Sequence, residues 1–254
     1  MEVCRMATKK QNELDVVQER SILTVTDEEM AEFQEMIEEN TDGELGFKSF
    51  EQIKVPSGGM TFWSLLDENG EEISEKSFEG VIISKQKTRA YWPTKEDDAT
   101  EINKTPICHS FDGVTGSLYG DCKTCPYSKF TKEGKKNIPP ACKERQLLYI
   151  LRKGAMLPAV LNVPRTSIKH LKEYGARLLS MGKRLSAVVT KFELTKTQSA
   201  DGQDYSEIKF SMQQPLAKEE ATLIRSSFTP LIENVQEQMG QMVLNEHEEN
   251  GEEV

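Results

Sequence analysis

Long apolar runs are absent from this 254-residue chain. Nowhere do eighteen consecutive apolar residues occur, which excludes a helix able to span a bilayer. Met1 to Lys10 are polar and charged and hold no apolar segment of the kind that begins a secretory signal. The expectation is a cytosolic protein with no membrane partner. Cysteine is scarce too, at five residues. In a reducing compartment, clustered thiols bind metal or do chemistry more often than they form stabilising disulfides. No glycine-rich phosphate loop is present, because Ser57-Gly58-Gly59 lacks a following Gly-Lys-Ser/Thr. Neither a helix-turn-helix signature nor zinc-finger helix spacing is found, and base-specific readout is not indicated. There is no internal repeat.

Acidic residues outnumber basic ones, 42 to 32, and a net charge of −10 taken alone argues against a phosphate-bearing ligand. The charges are segregated, however. Between Lys85 and Lys196 stand 22 Lys and Arg against 10 Asp and Glu, a net of +12; the rest of the chain carries 10 against 32, a net of −22. Local potential, not the chain average, steers and holds a charged partner.

Residues 1–44 read as an appendage with a short amphipathic helix from Asp27 to Glu39. Thr26 is its N-cap, Glu29 completes a capping box, and Met30, Phe33 and Ile37 recur at helical spacing. From 45 to 213 the pattern is mostly β. Phe47–Val55 and Met60–Leu66 are predicted as a hairpin around Ser57-Gly58-Gly59, and Phe78–Trp92 as a long strand. A polar loop spans 94–105, and an insert rich in Gly and Pro covers about 106–143. Strands follow at Gln146–Arg152 and Ala159–Val163. Ser167 is read as the cap of a helix over Ile168–Met181, with Ile168, Leu171, Gly175 and Leu178 on one face. The strands Leu185–Lys196 and Tyr205–Gln213 are joined by a turn at Asp201-Gly202. In the first of them the apolar phase slips between Val189 and Phe192, which predicts a β-bulge. Residues 214–244 are helical in pattern with Pro230 as an interruption, and 245–254 form an acidic tail. The overall expectation is an α+β chain, mostly β with flanking helices. Its element order from Phe78 is that of an OB-fold-like barrel carrying a zinc-binding insert.

Four of the five cysteines fall within 35 residues: Cys108, then Cys122-Lys-Thr-Cys125, then Cys142. A C-x-x-C knuckle places two thiolates on one metal, and two more distant cysteines complete the tetrahedron that structural zinc prefers. His109 in place of Cys108, or an iron–sulfur cluster, stays open on spacing alone. A four-cysteine shell has no free coordination position for catalysis. Cys4 lies apart, and Cys122 with Cys125 lack the βαβ context of a redox motif.

On the strand Phe78–Trp92, alternation puts Lys85, Lys87, Arg89 and Tyr91 on one face. Like charges at that period repel, and a polyanion lying across them relieves the repulsion. Trp92, Lys129, Tyr149, Arg152, Tyr205 and Lys209 extend the mixture of cations and rings. Single-stranded nucleic acid is held by this combination of a positive groove and stacking platforms.

The runs Cys108-His-Ser-Phe-Asp-Gly113 and Gly120-Asp-Cys-Lys-Thr-Cys-Pro126, with Cys142, Leu157-Pro158, Val163-Pro164 and Val188-Val189-Thr190, resemble proteins from the replication and recombination modules of bacteriophages and mobile elements. The likeness covers roughly residues 47–213. It implies a non-catalytic single-stranded DNA-binding protein of OB-fold type with a zinc insert, working in a bacterial host cell. It also implies that the acidic tail, Glu246 to Glu253, recruits replication or recombination proteins. Two other readings accompany it: a metal-dependent nuclease using His109 and Asp112, and a phage interaction factor that inhibits a host enzyme.

Overall fold

A computed structural model describes residues 27–251, except 44, 68, 93–105, 135 and 200. The expected cap at Thr26, Cys4, the polar loop 94–105 and the last three residues of the acidic tail lie outside the described residues. The chain opens with helix α1 (Asp27–Thr41) and a single 3-10 turn at Phe47–Ser49. Strands β1 (Gln52–Ile53), β2 (Trp63–Leu66), β3 (Glu72–Glu75) and the long β4 (Ser77–Tyr91) follow. The cysteine region contributes β5 (Cys108–Ser110), β6 (Thr115–Gly116), β7 (Gly120–Asp121), β8 (Thr131–Glu133) and β9 (Lys136–Ile138). Then come β10 (Lys143–Arg152), β11 (Ala159–Val163), α2 (Arg165–Ser180), β12 (Val188–Gln198), β13 (Asp204–Pro215) and α3 (Lys218–Gly251).

One curled sheet organises these elements, in the order β1-β11-β10-β4-β12-β13, with β5 added alongside β4. Its long strands pair antiparallel, and β1 joins β11 in parallel. Besides the short β5, β4 serves two long partners: its first residues pair with β12 and its remainder with β10. Gly80 is the shared position, opposite Thr190 on one side and Arg152 on the other. A Cβ there would stand 2.8 Å from the Leu151 carbonyl oxygen and 2.5 Å from Ile150 Cγ2, so only glycine lets the two ladders meet. The phase slip seen in the sequence is a real bulge, between Val189 and Thr190.

Helix α2 packs against both β10 and β13, although two strands separate them, so the sheet forms a half-barrel curled around the helix. Ile168, Leu171, Tyr174 and Leu178 meet Phe78, Leu148, Ile150, Phe192 and Ile208 in this core. Tyr174 takes the place expected for Gly175, and its hydroxyl shares a 2.8 Å hydrogen bond with Thr190 Oγ1. Each such apolar side chain contributes about 1.5–3 kcal/mol by leaving water. On the opposite face of the sheet, Ile224, Phe228, Ile232, Val235 and Met239 of α3 cover Val81, Leu147, Tyr149 and Val189, with Phe33 of α1 at the margin.

Several local expectations give way to tertiary contacts. Phe47–Val55 and Met60–Leu66 do not form a hairpin: β1 pairs with β11, and β2 with β3. Within the first segment Phe50 is drawn into the α3 core and Ile53 into the α2 core, where Trp63 of the second segment also lies. Ser167 is not a cap. The helix begins at Arg165 with Pro164 at its N-cap, and the Ser167 hydroxyl instead accepts the buried Ile208 amide of edge strand β13 at 2.9 Å. Pro230 does not end α3, and the helix runs past 244 to Gly251. The apolar stripe continues on both sides of the proline, and its burial offsets the roughly 3 kcal/mol that a helical proline costs.

Candidate nucleic-acid interface and thiol pocket

β4 and β10 fix the basic ladder. Lys85, Lys87 and Arg89 lie opposite Leu148, Gln146 and Glu144, and directly opposed residues share a face. Leu148 belongs to the α2 core, so the ladder runs along the face that α2 covers, from two exposed lysines to the half-buried Arg89. Arg89 stands 3.8 Å from Glu144, close enough for a weak ion pair.

At the Arg89 end the strand opens into a cleft of about 350 Å³ between the cysteine region and the start of α2. Arg89, Arg165, Lys169 and Lys172 bring positive charge from two separate elements, and Glu144 is the carboxylate among the lining residues. Spacing of four and three residues puts the three α2 cations on one helical face. The opposite wall is Ser128, Phe130, Pro140 and Cys142. Phe130 is 62% exposed, and the Arg165 guanidinium carbon lies 5.4 Å from its ring centroid. An exposed flat ring beside converging cations suits a ligand that carries both an anion and an aromatic base. Sequence reasoning missed Arg165, Lys169 and Lys172 as site residues; their helical spacing was the available signal, but nothing local tells that this face turns toward the insert.

The remaining predicted contacts divide. Lys129 is exposed next to Phe130. Tyr149 is corrected: it is 0% exposed, edge-on to Phe50 in the α3 core, and offers no ring face to a base. Arg152 points elsewhere, with Nη1 2.8 and 3.0 Å from the two carboxylate oxygens of Glu51 and 3.3 Å from the Leu66 carbonyl, so it ties β10 to the β1–β2 segment. Tyr91 is buried at 9% and stacks on Tyr127 at 4.7 Å, which occupies its ring. Trp92 is half-buried, its Nε1 enclosed without a hydrogen-bond partner among the described residues. Tyr205 and Lys209 do share a face, around the buried Glu207: the tyrosine hydroxyl is 3.5 Å and the lysine Nζ 3.6 Å from its carboxylate. His170 Nε2 lies 3.1 Å from the same group and 3.0 Å from Lys209 Nζ.

The four cysteines meet. Cys108, Cys122, Cys125 and Cys142 are free thiols lining one small pocket, walled by Tyr91, Tyr119 and Tyr127. Gly116 faces them: a Cβ there would come within 3.0 Å of Cys108 Sγ and 3.6 Å of Cys122 Sγ. The knuckle is held from the backbone, with the Cys122 amide donating to Val114 O at 2.8 Å and the Cys125 amide to Asp121 O at 3.1 Å. Burial pushes the Cys122 and Cys142 thiols up, while the Arg89 charge opposes it. Among the described residues no three His, Cys, Asp or Glu side chains stand as a finished metal site. The donor set is still of the kind zinc takes: four cysteines lining one pocket, with a glycine against the sulfurs of two of them. His109 is not among the residues lining this pocket, and its Nδ1 lies 3.3 Å from Ser117 Oγ. Asp112 is a turn former, its Oδ1 accepting from the Val114 and Thr115 amides at 2.7 and 2.8 Å and from Ser110 Oγ at 2.8 Å.

No protein-family model matches the chain, and no curated protein or solved structure matches it. Among the described residues, no helix is long and apolar enough to cross a membrane.

Proposed function

We propose that the protein binds single-stranded DNA with little sequence preference and without catalysis, in phage or mobile-element replication or recombination inside a bacterial host cell. The observation that carries this reading is the cleft, where Arg89, Arg165, Lys169 and Lys172 converge beside the exposed Phe130 ring. Phosphates pair with the cations while an unpaired base stacks on Phe130; a duplex, whose bases are already stacked, gains nothing from the ring. The β4, β10, β11, α2, β12, β13 order, with the cysteine region after the first strand, supports an OB-type barrel. Cys108, Cys122, Cys125 and Cys142 would hold zinc, whose part is to fix the insert that forms one wall of the cleft. The acidic C-terminal segment would recruit replication or recombination proteins.

Fluorescence anisotropy with labelled oligo-dT tests the reading. Tight binding at about 50 mM salt that weakens steeply toward about 200 mM is the expected result. No binding at the lower salt, or equal affinity for duplex, rejects it. Cleavage of the probe on adding Mg²⁺ or Mn²⁺, abolished by Asp112→Ala, would make the protein a nuclease instead. Zinc content of protein purified without chelator should be one per chain.

A further inference from the structure

We infer that Ser128 couples the thiol pocket to the nucleic-acid cleft, so that loading either one strengthens the other. This rests on the reading proposed above. Ser128 lines both cavities, as does Cys142. It ends the 3-10 turn Pro126–Ser128 that directly follows Cys125. Its hydroxyl lies 2.6 Å from the Cys122 carbonyl and 2.8 Å from the Cys125 carbonyl, so one proton is shared between the backbones of both cysteines of the C-x-x-C knuckle. The turn is closed by the Ser128 amide on Cys125 O and the Lys129 amide on Pro126 O, each at 3.2 Å. From there the chain passes directly to Phe130. Cys142 is tied to the same turn, its amide donating to Tyr127 O at 2.9 Å.

A metal held by four sulfurs fixes the carbonyls of Cys122 and Cys125, these fix Ser128, and Ser128 sets where Phe130 stands relative to Arg165. A bound strand holds the same turn from its Phe130 end. Binding free energies of two sites that order one element are linked, and the linkage is reciprocal. A strand seated on Phe130 therefore raises the affinity for the metal by the same factor as metal raises the affinity for the strand. Ser128 is a positioning residue in both directions.

Equilibrium competition for zinc between the full-length protein and a chromogenic chelator, with and without saturating oligo-dT, tests the coupling. Zinc affinity raised about fivefold or more by the oligonucleotide is expected. Ser128→Ala should bind zinc about tenfold more weakly on its own and lose the enhancement, whereas Ser128→Thr, which keeps the hydroxyl, should retain it. Identical zinc affinity with and without oligo-dT in a wild-type protein that binds both zinc and DNA overturns the coupling and leaves the proposed function standing. Full retention of the effect in Ser128→Ala overturns the role of Ser128. Absence of zinc binding or of DNA binding removes the proposed function, and the coupling with it.

Discussion

Arg165, the first residue of α2, lies over Phe130 of the cysteine region, with 5.4 Å between guanidinium carbon and ring centroid. The pair bridges two elements 35 positions apart and places a charge against a ring that is otherwise open to solvent.

Phe130→Ala should weaken oligo-dT binding by about 1–3 kcal/mol, the loss of one stacked base. The ring is largely exposed, so stability should change by less than about 0.5 kcal/mol. Anisotropy titration beside urea unfolding separates the two quantities; a large stability loss with unchanged affinity would assign the ring to folding.

Arg165→Gln, Lys169→Gln and Lys172→Gln should each lower affinity for all sequences alike and reduce the slope of log affinity against log salt by about one. Arg152→Gln should leave the slope unchanged and cost stability, since its partners are Glu51 and the Leu66 carbonyl. Titrations at four or five salt concentrations give the slopes.

Glu207 makes stability depend on pH. Burial alone would raise its pKa, but the hydrogen bond and charge of His170, followed by the charges of Lys169 and Lys209, hold it below the ordinary 4.5. A carboxyl depressed on folding contributes stability that is present above its unfolded value and lost as pH falls through the folded one. Wild type should therefore exceed Glu207→Gln in stability at pH 7, with the gap closing as pH is taken below about 4.5. Urea unfolding across that range measures the gap; a constant difference would mean that the carboxyl is not shifted.

Ser167→Ala should destabilise by about 1–3 kcal/mol, because the Ile208 amide is left buried without an acceptor. A mere cap would cost about half as much and would not alter protection of Ile208. Hydrogen exchange at that amide distinguishes the two.

Properties carried within a few consecutive residues were legible in the sequence. The alternation of Lys85, Lys87 and Arg89, the phase slip at Val189, the apolar stripe of α2 and the cysteine spacing all reappear in three dimensions, since each expresses a local period. Which distant segments meet was not legible. Tyr149 looked like a ring among cations until α3 and Phe50 closed over it, and Ser167 looked like a cap until β13 brought an unpaired amide to it. The cleft is of the same kind: its cations lie on β4 and α2, its ring on a segment between them, and curling of the sheet around α2 juxtaposes them. The sequence by itself determined the chemistry available and the period of each element. Tertiary structure decided which faces were buried and which converged, because that depends on contacts between residues far apart in the chain, about which no short window carries information.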